Sequence, residues 1–336
     1  MLLSKRLPGL DLLRCLGLLF VVSVHFFLYN GFYYEPQVGA AMWAADSFRW
    51  LFFSCNGIYM MLTGYLISQK EMTSRYYLRL IPIVISYTLT CLISYPIRHF
   101  LQGEHLPFAQ WLQNYFSFSN YAWYAEMYIG LILFSPVLNL GLRSMKSRKS
   151  LIGFAGVMLL LTAVPNLTGL DILPDYWTCL YPITYYVIGA VIARLQPKPS
   201  TLLCLLGAAV SVMGQGLASV LMTNEGFSEG FTAGYGGLWV TLTVTFLFLG
   251  LYHIDMPSRL GKILAWASGG CFEGYILSRL LDTCLYEAIP QWHHPANYIA
   301  LYLCVTIPIF IFSVLAGKLT HMTSQAIWKR INGHDG

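Results

Sequence analysis

Ten runs of about 20 residues, each dominated by apolar side chains, recur along the chain and leave it few ways to fold. They lie near residues 8–29, 47–68, 80–97, 121–140, 150–166, 178–194, 200–222, 235–252, 262–288 and 297–317. Too little polar surface remains to coat a globule. Of 336 residues only 15 are acidic and 20 basic, a charged share of 10% against roughly 25% in an average soluble domain. With 57% hydrophobic residues and a mean hydropathy of +0.58, most of the surface must face lipid. The expected fold is all-α: a polytopic transmembrane helix bundle of about ten spans, built as a single domain over residues 1–336. The first run is long, lacks a small-residue cleavage site and carries charge, so it is expected to be a retained span.

Orientation follows from the basic residues. Lys5 and Arg6; Lys70, Arg75 and Arg79; Arg143, Lys146, Arg148 and Lys149; Arg194 and Lys198; Arg259 and Lys262; and Lys318, Lys329 and Arg330 alternate to one side of the ten runs. Arg49 and Arg98 fall on the other side. An N-in, C-in topology is therefore expected in the plasma membrane. The net charge of +5 is the signature of that orientation and calls for no nucleic-acid partner. Eight cysteines fall almost entirely within apolar runs, without CxxC or zinc spacing, and are expected to be small core residues. Asn166–Thr168 matches a glycosylation acceptor by chance length alone, and His293–His294 is expected to be a solvated pair rather than a metal site. The longest breaks, 98–120 and 223–234, lie on the outer side. The first mixes aromatic and polar residues, as an interfacial helix does.

The first run, "LPGLDLLRCLGLLFVVSVHFF" (7–27), holds Asp11, Arg14 and His25, although a charge at the bilayer centre costs at least ~2.5–3.5 kcal/mol. Eleven positions separate Arg14 from His25; at ~100° per residue they return to within ~20° of one face, ~16 Å apart along the axis. Asp11 precedes Arg14 by three and can pair with it. Taken singly, Arg14 could snorkel to the inner rim and His25 could be a satisfied rim histidine. Both on one stripe favour a shared polar cavity, and histidine is suited to accept a proton near neutral pH. Asn56, Glu126, Glu273, Arg279 and Asp282 are further polar residues within apolar runs; Arg279 and Asp282, three apart, can form a structural pair. Arg75 and Arg79, four apart, share a face if the third helix starts early. They then form either plain positive-inside charge or a clamp for phosphate.

Several of these segments resemble one known family, the integral-membrane acyltransferases of acyltransferase family 3, whose members commonly O-acetylate bacterial cell-surface glycans. "GLDLLRCLGLLFVVSVHF" is similar to that family's first helix, with an arginine, ten residues and a histidine, here Arg14 and His25. "IYMMLTGYLIS" resembles its second-helix motif, with Thr63 for the usual serine before Gly64 and Tyr65, and a basic stretch and "RLIP" (79–82) follow. "WYAEMYIGLILFSPVLN" (123–139) and "YYVIGAVIA" (185–193) resemble its Trp-aromatic and aromatic-glycine helices. Ala122 and Ser278 stand where many relatives carry histidine, so no role passes to those positions.

The resemblance implies an enzyme that moves an acyl group, most simply acetyl, from cytoplasmic acyl-CoA to a hydroxyl of a surface polysaccharide or lipid-linked glycan. Acyl-CoA (acetyl-CoA) would be the donor substrate and no metal would be needed. It implies a catalytic set of His25, Arg14 and Asp11, with His25 as general base or transient acyl carrier. Substrate-binding positions would be Arg75, Arg79, Tyr65, Trp123, Tyr124 and Glu126; Glu126 would orient His25 or bind a sugar hydroxyl beside the Trp123–Tyr124 platform. Besides donor, acceptor and membrane lipids, a homodimer is left open as partner. The competing class is a transporter or flippase of lipid-linked glycan, although no inverted repeat is visible.

Overall fold

Long apolar segments with backbone groups satisfied internally form helices in lipid, and the computed structural model describes residues 6–73, 75–118, 122–166, 172–222, 234–287, 289 and 298–333. Asn166 is described, but the rest of its glycosylation triplet, the pair His293–His294, most of the 223–234 connection and Lys5 lie outside the described residues.

Thirteen α-helices and no strand occur among the described residues: α1 (Pro8–Tyr29), α2 (Ala40–Phe53), α3 (Cys55–Ile67), α4 (Leu80–Pro96), α5 (Phe108–Phe116), α6 (Trp123–Ser144), α7 (Arg148–Ala163), α8 (Tyr181–Leu195), α9 (Thr201–Met222), α10 (Leu238–Leu251), α11 (Ser258–Ala267), α12 (Cys271–Glu287) and α13 (Tyr298–Asn332). Each of the ten predicted runs is helical. The second is broken at Ser54 into α2 and α3, and the ninth is broken by a 3₁₀ turn at Ser268–Gly270 into α11 and α12. Seven helical stretches among the described residues are long and apolar enough to cross a membrane; Leu238–Leu251 is apolar but shorter. The number ten and the sidedness of the termini remain expectations.

Helix α1 is central, touching α2, α3, α10, α11, α12 and α13. That position explains why its polar stripe is internal. Small residues set a close crossing where α3 packs on α8. A Cβ on Gly64 would overlap the Tyr186 carbonyl oxygen and one on Gly189 would overlap that of Met61, so the two backbones meet as small residues allow. Asn139 of α6 finishes α3 by donating Nδ2 to the carbonyls of Ile67 (3.0 Å) and Lys70 (3.1 Å), groups that a helix C-terminus leaves unpaired.

The basic segments gather at one end of the bundle. Arg6 reaches Ala265 O, Arg143 reaches Gln69 O and Glu71, and Arg194 reaches Leu142 O. We call this the basic end. The expected helix within 98–120 is α5, whose buried Trp111 packs on Tyr95 while Phe108 and Phe116 stay exposed. Five cysteines are buried; Cys179, Cys284 and Cys304 are exposed.

Candidate active site

Two polar contacts fix α1 against the ninth run, and their spacing gives the direction. Ser268 donates to Asp11 Oδ1 (2.7 Å), and His25 Nδ1 bonds Asp282 Oδ2 (2.8 Å). Both pairs are 257 residues apart in sequence, so α12 runs parallel to α1 in register. The polar stripe read from the sequence thus faces the ninth run, with Asp11 at the turn before α12 and His25 against α12 itself.

At the basic end Asp11 is fully engaged. Its carboxylate accepts from Arg6 Nε (2.6 Å) and Nη2 (2.9 Å), from Arg14 Nη1 (3.0 Å) and from Ser268. The i,i+3 pairing of Asp11 with Arg14 is present, but two further donors hold the same carboxylate. Arg6 precedes the membrane helix; the hydrogen bonds it donates to Asp11 raise its pKa, outweighing the lowering by burial, and the charge of Asp11 adds to the rise. A carboxylate so saturated positions Arg14 rather than exchanging protons.

At the other end of the stripe, His25 and Asp282 are both buried, with Asp282 completely so. Ser278 adds its hydroxyl to Asp282 Oδ2 at 3.4 Å. Arg279 contributes its charge at Asp282 and donates Nη1 to Tyr29 (3.3 Å). Asp282 thus receives a direct hydrogen bond from α1, at His25, in addition to the charge of its expected neighbour Arg279. A neutral imidazole that donates Nδ1–H to a carboxylate carries its lone pair on Nε2 and is fixed in orientation, the arrangement of a general base with its positioning acid.

A cavity of about 260 Å³ lies between these two ends. Arg14 and Ser268 border it toward the basic end, together with Glu273, His321 and Gln325; Asn56, Tyr59, Tyr124, Tyr128 and Tyr275 form much of the remaining wall. Val21 is its farthest lining residue along α1, four residues or ~6 Å short of His25. Tyr275 on α12 is seven residues before Asp282. Tyr124 and Tyr275, in edge contact at 5.9 Å, therefore form a roof to the cavity about two turns of α12 short of Asp282. Glycine shapes this wall: a Cβ on Gly17 would press into the Tyr59 ring, whose hydroxyl donates to Arg14 O at 3.0 Å.

The other predicted positions divide. Tyr124 is buried on the cavity wall, as a substrate-binding residue should be. Trp123 is 39% exposed and packs at a tilt against Tyr235, and it does not line the cavity. Tyr65 turns away, packing on Phe248 and Tyr252 and bonding Gln196. Glu126 is exposed, so it does not orient His25. It sits in the first turn of α6, where a carboxylate complements the helix dipole. Arg75 and Arg79 share no helix face, because α4 starts only at Leu80. Arg75 is exposed, whereas half-buried Arg79 lies 4.1 Å over the Tyr76 ring with Nη1 unpartnered among the described residues. Arg79 and Arg14 both act electrostatically on Tyr128 of the cavity wall.

The sequence pattern singled out Asp282 only as a partner for Arg279, singled out Glu273 without a role, and did not bring out His321. His321 arrives because α13 continues to Asn332, well past the apolar run that ends at 317.

A family model described as an acyltransferase domain, that of acyltransferase family 3, matches residues 7–318. No curated protein and no solved structure matches the chain. The match takes in the arginine–histidine helix, the Asp282 partner and the cavity wall apart from His321 and Gln325, and the chain belongs to the acyltransferase 3 family of membrane proteins.

Proposed function

We propose that this membrane acyltransferase moves an acetyl group from cytoplasmic acetyl-CoA to a hydroxyl of a surface polysaccharide or lipid-linked glycan at the plasma membrane. The observation that carries the proposal is the His25–Asp282 pair standing one turn above a cavity that Arg14 borders at the basic end. Donor phosphates meet Arg14 and Arg79 at that end, and the pantetheine arm threads the cavity toward the tyrosine roof. An extended arm is comparable in length to the ~16 Å between Arg14 and His25.

The chemistry follows. His25 Nε2 takes the proton of the acceptor hydroxyl while its oxygen attacks the thioester carbonyl. The C–S bond breaks as the C–O bond forms, and the departing thiolate takes the proton back from the imidazolium. Asp282 holds the ring and stabilises the transient cation. Direct transfer is preferred to an acyl-histidine because it needs fewer steps. Glycan mass spectrometry of a strain with and without the gene tests the proposal. Loss of the acetyl mass increment on deletion, restored by the wild-type gene and not by His25→Ala, is expected; unchanged glycan masses would refute it.

A further inference from the structure

Two side chains that line the cavity each carry a buried polar atom with no hydrogen-bond partner among the described residues: Glu273 Oε2 and Asn56 Nδ2. Glu273 is 2% exposed and held by two neighbouring helices. Its Oε1 accepts from Ser86 Oγ of α4 (2.6 Å) and bonds His321 Nδ1 of α13 (2.9 Å), with Ser324 Oγ 2.8 Å from Ser86 Oγ. So much fixing leaves one oxygen of the carboxylate unmatched, and a buried acceptor without a donor is costly. Glu273 cannot serve the histidine base, for it is nine residues from Asp282, ~14 Å along α12. Asn56, beside the break between α2 and α3, offers the opposite character, an N–H donor without an acceptor.

An unmatched acceptor and an unmatched donor lining one cavity are what an arm of secondary amides requires, each amide with its single N–H and single carbonyl. We infer that Glu273 and Asn56 read the amide groups in the arm of the thioester donor, an inference that rests on the donor-cavity assignment above. Glu273 accepts an arm N–H or hydroxyl, and Asn56 donates to an arm carbonyl. A donor whose acyl carrier is a hydrocarbon chain offers neither group and leaves both residues unpaired. The cavity therefore selects amide-bearing thioesters, and Glu273 and Asn56 are specificity residues of the donor site.

The test uses the full chain in nanodiscs with acetyl-CoA, S-acetylpantetheine and octyl thioacetate, an amide-free thioester, together with direct binding of coenzyme A. Wild type should use S-acetylpantetheine at least about tenfold better than octyl thioacetate in kcat/KM, the tenfold corresponding to one well-made hydrogen bond. Glu273→Gln places an NH₂ where an acceptor is needed; it should raise the KM for S-acetylpantetheine about tenfold, leave kcat and the acceptor KM unchanged, and leave octyl thioacetate unaffected. Asn56→Asp should act likewise. Equal use of the two thioesters by wild type would overturn the inference whether or not a variant folds. So would wild-type KM values in both variants while coenzyme A still binds. If wild type binds no coenzyme A, the donor-cavity assignment itself falls and the inference with it.

Discussion

Replacing Asp282 by asparagine removes one charge from a completely buried position while keeping side-chain volume, so it isolates what the carboxylate does for His25. The native contact is 2.8 Å, between a completely buried carboxylate and a histidine only 9% exposed. Little solvent can replace the lost charge, and the asparagine amide can turn its NH₂ toward Nδ1 and fix the wrong tautomer. The corresponding loss in a histidine–aspartate relay is up to ~10⁴-fold in kcat. Here a fall of about 10²–10⁴-fold is expected, or ~2.7–5.4 kcal/mol of transition-state stabilisation. The donor KM should stay within about threefold, because the cavity ends short of this pair. The assay is acceptor-dependent release of coenzyme A by detergent-purified protein, with monodispersity and thermal unfolding matched between variants. The same loss should follow from His25→Ala, and combining the two should cost little more than either alone, because residues acting as one unit are non-additive. Near-normal kcat in Asp282→Asn, or losses that add in the double variant, would refute the pairing as part of the chemistry.

Four further outcomes follow from the geometry. Arg14→Ala should raise the donor KM with a stability loss of at most about 1 kcal/mol, because Arg6 and Ser268 still hold Asp11; Arg14→Lys should recover only part of the affinity, lacking the planar fork. Arg79→Glu should raise the donor KM far more than Arg75→Glu, since only Arg79 is half-buried with an unpartnered nitrogen; equal effects would point to bulk charge alone, and cysteine labelling must confirm orientation. Glu126→Gln and Glu126→Ala should leave rates unchanged and stability within about 0.5 kcal/mol, as exposed sites do, which a kinetic comparison in membranes checks. Gly64→Ala should destabilise by about 1–3 kcal/mol or more through overpacking at the α3–α8 crossing, read as a lowered unfolding temperature.

The stripe on α1 was legible in the sequence because it depends on one helix's period alone. Arg14 and His25 share a face wherever that helix is placed, and Asp11 lies within reach of Arg14 by spacing. The partner of His25 was not legible. Asp282 lies 257 residues away, and Arg279, three residues before it, offered a local explanation for the carboxylate. Glu126 misled for the opposite reason: a carboxylate inside an apolar run reads as interior, yet its place in the first turn of α6 puts it at an exposed helix end. Arg75 and Arg79 depended on where α4 begins, a boundary that hydropathy locates poorly. His321 had a signal that went unread: "LTHMTSQAIWKR" continues the helical alternation of apolar and polar residues after the apolar run has ended. That extension carries His321 to Glu273 and completes the cavity wall.

The central claim is that a donor entering at the basic end passes its acyl group to an acceptor hydroxyl at His25. It is tested most directly by reconstituting the protein in one orientation in liposomes, supplying radiolabelled acetyl-CoA on the basic side, and supplying the glycan acceptor on the other. The account predicts acetyl label on the glycan in wild type, none in His25→Ala, and none when acetyl-CoA is offered only on the far side. Label appearing equally in His25→Ala, or glycan crossing the bilayer with no acetyl transferred, would contradict it.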